Sequence, residues 1–181
     1  DGMGLDKSES GEAKVLSEML DVLKEVADQL ETVDSTLDEF GEEIDAISDD
    51  LADVEAQAGE DVCAVLLELV QGEGGVLPMD RDFVRALAGL CEQRDWLLLV
   101  DEVQTGIGRT GSLFAFQQFG IQPDVVSFAK GIAGGLPLGG ILTNEKCAGV
   151  LTPGTHGSTF GANPVSTAAG LAVLETMDQP F

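Results

Sequence analysis

From Met19 onward, apolar residues recur at alternating steps of four and three: Met19, Leu23, Val26, Leu30, Val33, Leu37, Phe40, Ile44, Ile47, Leu51, Val54 and Ala58. A segment that keeps this spacing for more than five heptads can gather its apolar residues only along one stripe of a long helix. Leu23, Leu30, Leu37, Ile44 and Leu51 fall at position a, and Met19, Val26, Val33, Phe40, Ile47 and Val54 at position d. Leucine at a with β-branched residues at d leans towards assemblies of more than two strands. Gly41 weakens such a helix by about 1 kcal/mol relative to alanine, and Asp34-Ser35-Thr36 is weakly helical as well. The stretch therefore reads as one rod or as a helical hairpin. Its seam would pack on a second copy or on the rest of the chain, with a basic docking partner as the sharper alternative.

Charge separates this region from the remaining two thirds of the chain. The net charge is −24, and residues 1–61 hold 21 acidic and 3 basic side chains against 12 and 6 in residues 62–181. The expected organisation is an acidic coiled-coil-like segment over 1–61 and a second domain over 62–181. Nucleic acid and anionic membrane are excluded as partners, since both require Lys and Arg on a surface. No signal peptide or membrane-length apolar run is recognisable. Cys63, Cys91 and Cys147 have neither disulfide-framework nor metal-ligand spacing. They read as core residues, in strands or helices, of a cytoplasmic protein. No calcium-loop pattern occurs among the acids, and no metal site is expected.

Past residue 61 the period changes. Cys63–Val70 is an apolar run broken only by Glu68 and reads as a buried parallel strand. A glycine-rich turn comes next, Gln71-Gly72-Glu73-Gly74-Gly75, and then a helix capped by Asp80 or Asp82 and running to about Arg94. Further strands are expected at Trp96–Val100, Asp124–Ala129 and Leu138–Thr143, a short helix around Leu113–Phe119, a polar loop over Thr155–Pro164 and a helix over Val165–Met177. Strands alternating with helices mean an α/β fold with a mainly parallel sheet. Ligands of such sheets sit outside the carboxyl ends of the strands, where Glu68, Gln71, Asp101, Gln104 and Lys130 all fall.

Two of these residues carry chemistry. Lys130 ends the run Asp124–Ala129 and enters the turn Gly131-Ile132-Ala133-Gly134-Gly135. Burial at a strand mouth would lower its pKa and leave the nucleophilic amine that a Schiff-base lysine needs. Asp101 closes the preceding strand. An acid at one strand mouth and a lysine at the next suit pyridoxal phosphate, which needs a carboxylate partner and an amine. Taken alone, Asp101 would serve equally as a helix cap.

Four motifs in order then identify a resemblance. They are Glu68-Leu69-Val70-Gln71-Gly72-Glu73-Gly74-Gly75, Leu99–Gly111 with Asp101-Glu102-Val103-Gln104 at its centre, Ser127-Phe128-Ala129-Lys130-Gly131-Ile132, and His156-Gly157-Ser158-Thr159-Phe160-Gly161-Ala162-Asn163-Pro164. Residues 62–178 thus resemble the class III, pyridoxal-phosphate-dependent aminotransferases of fold type I, most of all the acetylornithine group. The resemblance implies part of that family's large domain, and a cytoplasmic homodimer or larger homo-oligomer. It implies an amino transfer from N-acetylornithine, or a related ω-amino donor, to the 2-oxo acid 2-oxoglutarate in arginine biosynthesis. It makes Lys130 the catalytic amine and Asp101 the partner of the pyridinium nitrogen. Gln104 would stand near the phenolic oxygen, with Glu102 and Val103 on the same cofactor-binding segment. Thr159 would bind the phosphate across a dimer interface. Ser158 would touch substrate, and Glu73 would answer to the acid that pairs with a substrate-binding arginine. His156 and Arg109 receive no catalytic role, and Glu102 and Arg109 would pair with each other or with a neighbouring subunit.

The same resemblance marks departures. The family's phosphate-binding turn, its ring-stacking aromatic and its substrate-gripping arginines are not found, and the acidic heptads stand where its first large-domain strands would be. The chain, opening Asp-Gly-Met-Gly, reads as a truncated or fused product, inactive alone, whose four strands are contiguous in the sheet with both edges open. The alternative function is a non-catalytic acidic coiled-coil module for oligomerisation, carrying an aminotransferase remnant.

Overall fold

The structure, a computed structural model, describes residues 6–178. The opening Asp1–Leu5 and the closing Gln179–Phe181 lie outside the described residues. Two compact units are present, Asp1–Asp49 and Asp50–Phe181.

Helix α1 (Asp6–Gln57) is one continuous helix of 52 residues, not a hairpin. The weak spots are accommodated within it. Thr32 Oγ1 donates to the Asp28 carbonyl at 2.9 Å and Thr36 Oγ1 to the Thr32 carbonyl at 2.8 Å, so both hydroxyls are satisfied one turn back. Lys14 and Lys24 pair with Glu18 and Asp21 on the exposed surface. Its apolar residues from Val15 to Ile44 are exposed. Among the described residues no helix is long and apolar enough to cross a membrane.

The second unit is α/β, with a mostly parallel sheet. The run Cys63–Val70 is two strands, β1 (Ala64–Leu67) and β2 (Val70–Gln71). Leu69 separates them by turning fully into the core, and its carbonyl accepts the Met79 N–H at 3.0 Å. Strand β2 pairs antiparallel with β3 (Leu77–Pro78) around the Gly72–Gly75 turn. Helix α2 (Arg81–Gln93) begins at Asp80, not Asp82, because Asp80 Oδ1 accepts the N–H groups of Asp82 and Phe83 at 2.9 and 2.8 Å. It buries Val84, Leu87, Leu90 and Cys91, of which Val84 and Cys91 share a core cluster with Leu98 and Val100 of β4 (Leu97–Asp101). Helix α3 is only Phe116–Phe119. The preceding residues are held by side chains instead, Ser112 Oγ donating to the Phe114 carbonyl and the Phe114 N–H to Gln117 Oε1. Strands β5 (Val125–Phe128) and β6 (Gly140–Thr143) and helix α4 (Pro164–Met177) complete the unit.

The sheet order is β1-β4-β5-β6. The first three strands are parallel, and β6 runs antiparallel to β5, so the four are contiguous as expected. Alternation along β4 buries Leu98 and Val100 with Leu69, Val84, Cys91, Ala115 and Ile121 in one core. Asp124 ties three strands together at one end of the sheet, the amino ends of β4 and β5 and the carboxyl end of the antiparallel β6. Its Oδ2 accepts the Leu98 N–H at 2.8 Å and its Oδ1 the Asn144 side-chain amide at 2.7 Å, while its backbone bonds both Leu98 and Asn144.

The three cysteines differ. Cys91 is buried in α2, and burial pushes its thiol up from the ordinary value. Cys147 is buried in a turn, not in a strand or helix, and Cys63 is exposed just before β1, not in the core. A maleimide should therefore label Cys63 in the folded protein, with Cys91 and Cys147 reacting only on unfolding, as read by peptide mass mapping. A Cβ on Gly89, inside α2, would meet nothing within 4 Å. Gly89→Ala should accordingly stabilise this unit by about 0.5–1 kcal/mol in urea unfolding.

Candidate active site

Parallel pairing sets Asp101 beside Ser127 at the carboxyl ends of β4 and β5. Their side chains share the sheet face opposite the core. Asp101 is half-buried, and its Oδ1 accepts the Ser127 hydroxyl at 3.1 Å and the Val103 N–H at 2.9 Å. Both bonds fall on one oxygen, and among the described residues Oδ2 accepts no hydrogen bond. Asp101 is thus fixed by an i, i+2 backbone turn and a neighbouring strand, rather than serving as a helix cap. Ser127 opens the lysine motif, and the sequence alone gives it no role of its own. Its position three residues before Lys130, at the end of β5, is the signal that points to it.

Glu102 is fully buried and does not pair with Arg109, which is exposed. Its Oε2 accepts the Thr105 hydroxyl and its Oε1 the Phe116 N–H at 2.8 Å, so it closes the loop between β4 and α3 and caps that helix's start. Gly106 completes this loop, since a Cβ there would lie 2.7 Å from the Glu102 carbonyl oxygen. The loop fixes the stretch Asp101–Gln104 on the sheet end.

Gln104 meets the β2–β3 turn. Its side-chain amide donates to Glu73 Oε1 at 3.3 Å, and its Cγ would lie 2.7 Å from a Cβ on Gly72. Only glycine at 72 admits that approach. Glu68 stabilises the same turn by accepting the Gly72 N–H at 3.1 Å. Two residues predicted for cofactor and substrate, Gln104 and Glu73, are therefore in contact.

Lys130 lies just past β5. Ala129 and Lys130, the latter at φ 48°, swing the chain out of the sheet into a single 3-10 turn, Lys130–Ala133. Lys130 is exposed, not buried as expected of a strand-mouth lysine, because the chain has left the sheet in this left-handed turn. Among the described residues it forms no ion pair. The turn is buttressed from α4, where Ser166 and Gly170 are buried and a Cβ on Gly170 would lie 2.8 Å from Leu138 and 3.4 Å from the Ile132 carbonyl. Asn163 caps α4 by accepting the Ser166 N–H at 2.9 Å. Ser158, Thr159 and His156 lie in the exposed loop before that cap. Among the described residues no hydrogen bond joins them to Asp101, Gln104 or Lys130.

A family model described as aminotransferase class-III matches residues 2–181. An acetylornithine aminotransferase of Haemophilus ducreyi is 57% identical over 124 residues, 68% of this chain and 32% of the relative. A succinylornithine transaminase of Yersinia pseudotuberculosis is 47% identical over 134 residues, 74% of this chain and 32% of the relative. Among solved structures, an (S)-enantioselective omega-transaminase from Thermomicrobium roseum has a TM-score of 0.66 at 38% identity, covering 72% of this chain and 30% of that one. The acetylornithine aminotransferase from Elizabethkingia anophelis has a TM-score of 0.60 at 41% identity, covering 63% and 29%. The chain spans about a third of the length of the curated relatives it matches.

The buried Glu102 carboxylate gives a direct test of how the site segment is held. Glu102→Ala should leave the Phe116 N–H and the Thr105 hydroxyl unpaired and destabilise the unit by about 2–3 kcal/mol, as a fall in the urea midpoint. Thr105→Ala, which removes one bond of the carboxylate and leaves the other, should cost about 1 kcal/mol.

Proposed function

We infer from the family to which this chain belongs, the class III aminotransferases, and from the way Asp101 is held, that it carries the cofactor-binding heart of a pyridoxal-phosphate-dependent transaminase. The reaction we propose moves an amino group from N-acetylornithine, or a related ω-amino donor, to 2-oxoglutarate in arginine biosynthesis. The names of the relatives support that donor class, both acetylornithine and succinylornithine enzymes being similar to this chain. A cytoplasmic setting and a homo-oligomer, with Thr159 reaching across a dimer interface, belong to the same reading.

The residues present fit the ring and aldehyde ends of the cofactor. A carboxylate with one oxygen engaged and the other open suits a pyridinium N–H, and an accessible amine without an ionic partner suits an aldehyde. When bound, pyridoxal phosphate supplies an electron sink for the pair released from the substrate carbon. Asp101 would hold the proton on the ring nitrogen, with Ser127 and Val103 keeping the carboxylate aimed. Lys130 would be the residue that holds the cofactor's aldehyde end, and its Nζ would move the proton to and from the substrate carbon. Gln104 would donate towards the phenolic oxygen, its orientation set by Glu73. The buried Glu102 and the Val103 N–H would keep that segment from shifting. Ser158 would contact substrate, and Thr159 the phosphate. Glu73 would face the substrate carboxylate side of the site.

The observation that carries this reading is the single carboxylate oxygen of Asp101 shared by Ser127 and Val103 on the strand end next to the Lys130 turn. It is tested by borohydride fixation of pyridoxal phosphate on the whole chain, with peptide mapping of the product. The expected result is one labelled lysine, Lys130, with labelling abolished by Lys130→Ala and reduced at least about tenfold by Asp101→Ala, the equivalent of about 1.4 kcal/mol. Label scattered over Lys14, Lys24 and Lys146, or none, would sink the reading and leave the acidic oligomerisation module in its place.

A further inference from the structure

Among the described residues the longest uncovered apolar surface is the stripe on α1. Within Asp1–Asp49 alone, Leu16, Leu23, Leu30, Leu37 and Ile44 at position a are 61–66% exposed, and Met19, Val26, Val33 and Phe40 at d are 45–57% exposed. At about 1.5 Å per residue the stripe from Leu16 to Ile44 runs about 40 Å. Propensity does not hold a helix of this composition together in water, since helices draw most of their stability from packing an apolar face.

The placement of charge indicates what covers the stripe. The e and g positions from Leu20 to Ser48 carry only two charged residues, Asp34 and Glu43. Leu20, Val22 and Ala27 make the flanks apolar there, and Gln29, Thr36, Gly41 and Ser48 keep them neutral. The remaining acids between Glu18 and Asp49 stand at b, c and f, on the side away from the seam. A basic partner helix would be recognised by acids at e and g, where the flanks of two helices meet. Copies of this same helix would instead meet through neutral flanks, with their acids turned to water. The flanking Leu20, Val22 and Ala27 also widen the stripe beyond the a/d seam of a two-stranded coil, and leucine at a with β-branched Val26 and Val33 at d favours more than two strands.

We propose that α1 assembles with copies of itself into a bundle of three or four helices. This holds whether or not the α/β unit is a transaminase. Because the outer acids of neighbouring copies repel through solvent, salt tightens the assembly by screening them. A complex with a basic partner would loosen instead.

The test is sedimentation of the full chain at about 50 and about 500 mM NaCl, over which the screening length shrinks about threefold. A trimer, tetramer or multiple of these is expected, with its midpoint concentration falling several-fold at the higher salt. L30D/L37D, two charges in the seam, should lower the assembled mass at both salts while Cys63 remains the one reactive thiol, which shows the α/β unit intact. Asp28→Asn, on the outer face, leaves the seam and the helix in place and should tighten assembly at low salt. A chain that is monomeric at both salts overturns the proposal. So does an assembly whose mass is unchanged in L30D/L37D, or one that weakens as salt rises. Borohydride labelling of Lys130 is read independently, so failure of the bundle and failure of the transaminase reading are distinguishable.

Discussion

The Asp124 carboxylate is the tie on which the rest of the α/β unit depends. It sits where β5 begins and holds the Leu98 amide of β4 and the Asn144 side chain beyond β6 at once. Three strands are thereby locked in register at one end of the sheet, the amino ends of β4 and β5 and the carboxyl end of β6. Because a strand advances about 3.3 Å per residue, that register fixes which residues stand abreast at the other end. Asp101 beside Ser127, and Lys130 three residues further on, are consequences of it. A one-residue slip would turn Asp101 to the core face and leave its carboxylate without Ser127.

The site itself is assembled from three loops, each stabilised by a different device. Glu102 and Thr105 hold the loop after β4 with buried hydrogen bonds. Gly72 lets the β2–β3 turn press against Gln104. Ser166 and Gly170 let α4 lie close against the Lys130 turn. The scaffold is apolar and the devices are polar or steric. Chemistry can therefore be altered at the strand ends with little change in the core behind them.

Much of this is legible in the sequence because it rests on local periodicity. The β/α alternation, the Asp80 region as a helix start, the proline-led α4 and the strand-end placement of Asp101 and Lys130 all derive from spacing and composition. The features that are not legible depend on contacts between distant segments. Nothing in the run Cys63–Val70 shows that Leu69 turns inward to bond Met79 and divides the strand. The burial of Glu102 looks improbable from its residue type, and is stable only because Thr105 and Phe116 supply its partners. The exposure of Lys130 depends on a backbone reversal that its apolar neighbours conceal. In α1 the periodicity favours a helix, while Gly41 and Asp34-Ser35-Thr36 favour a break. The structure has one continuous helix, within which the Thr32 and Thr36 hydroxyls are satisfied by carbonyls one turn back.

The left-handed backbone at Lys130, φ 48°, places stability and chemistry in opposition at one residue. A side chain other than glycine in that conformation carries a penalty of about 1–2 kcal/mol. The sequence nonetheless keeps a long cationic side chain there, next to glycines at 131, 134 and 135, a residue type that would have filled the position without strain. The fold thus holds an amine at the one point on the strand end where its backbone would rather have none. The rigidity of the surrounding turn, packed against α4, is what makes that arrangement tenable.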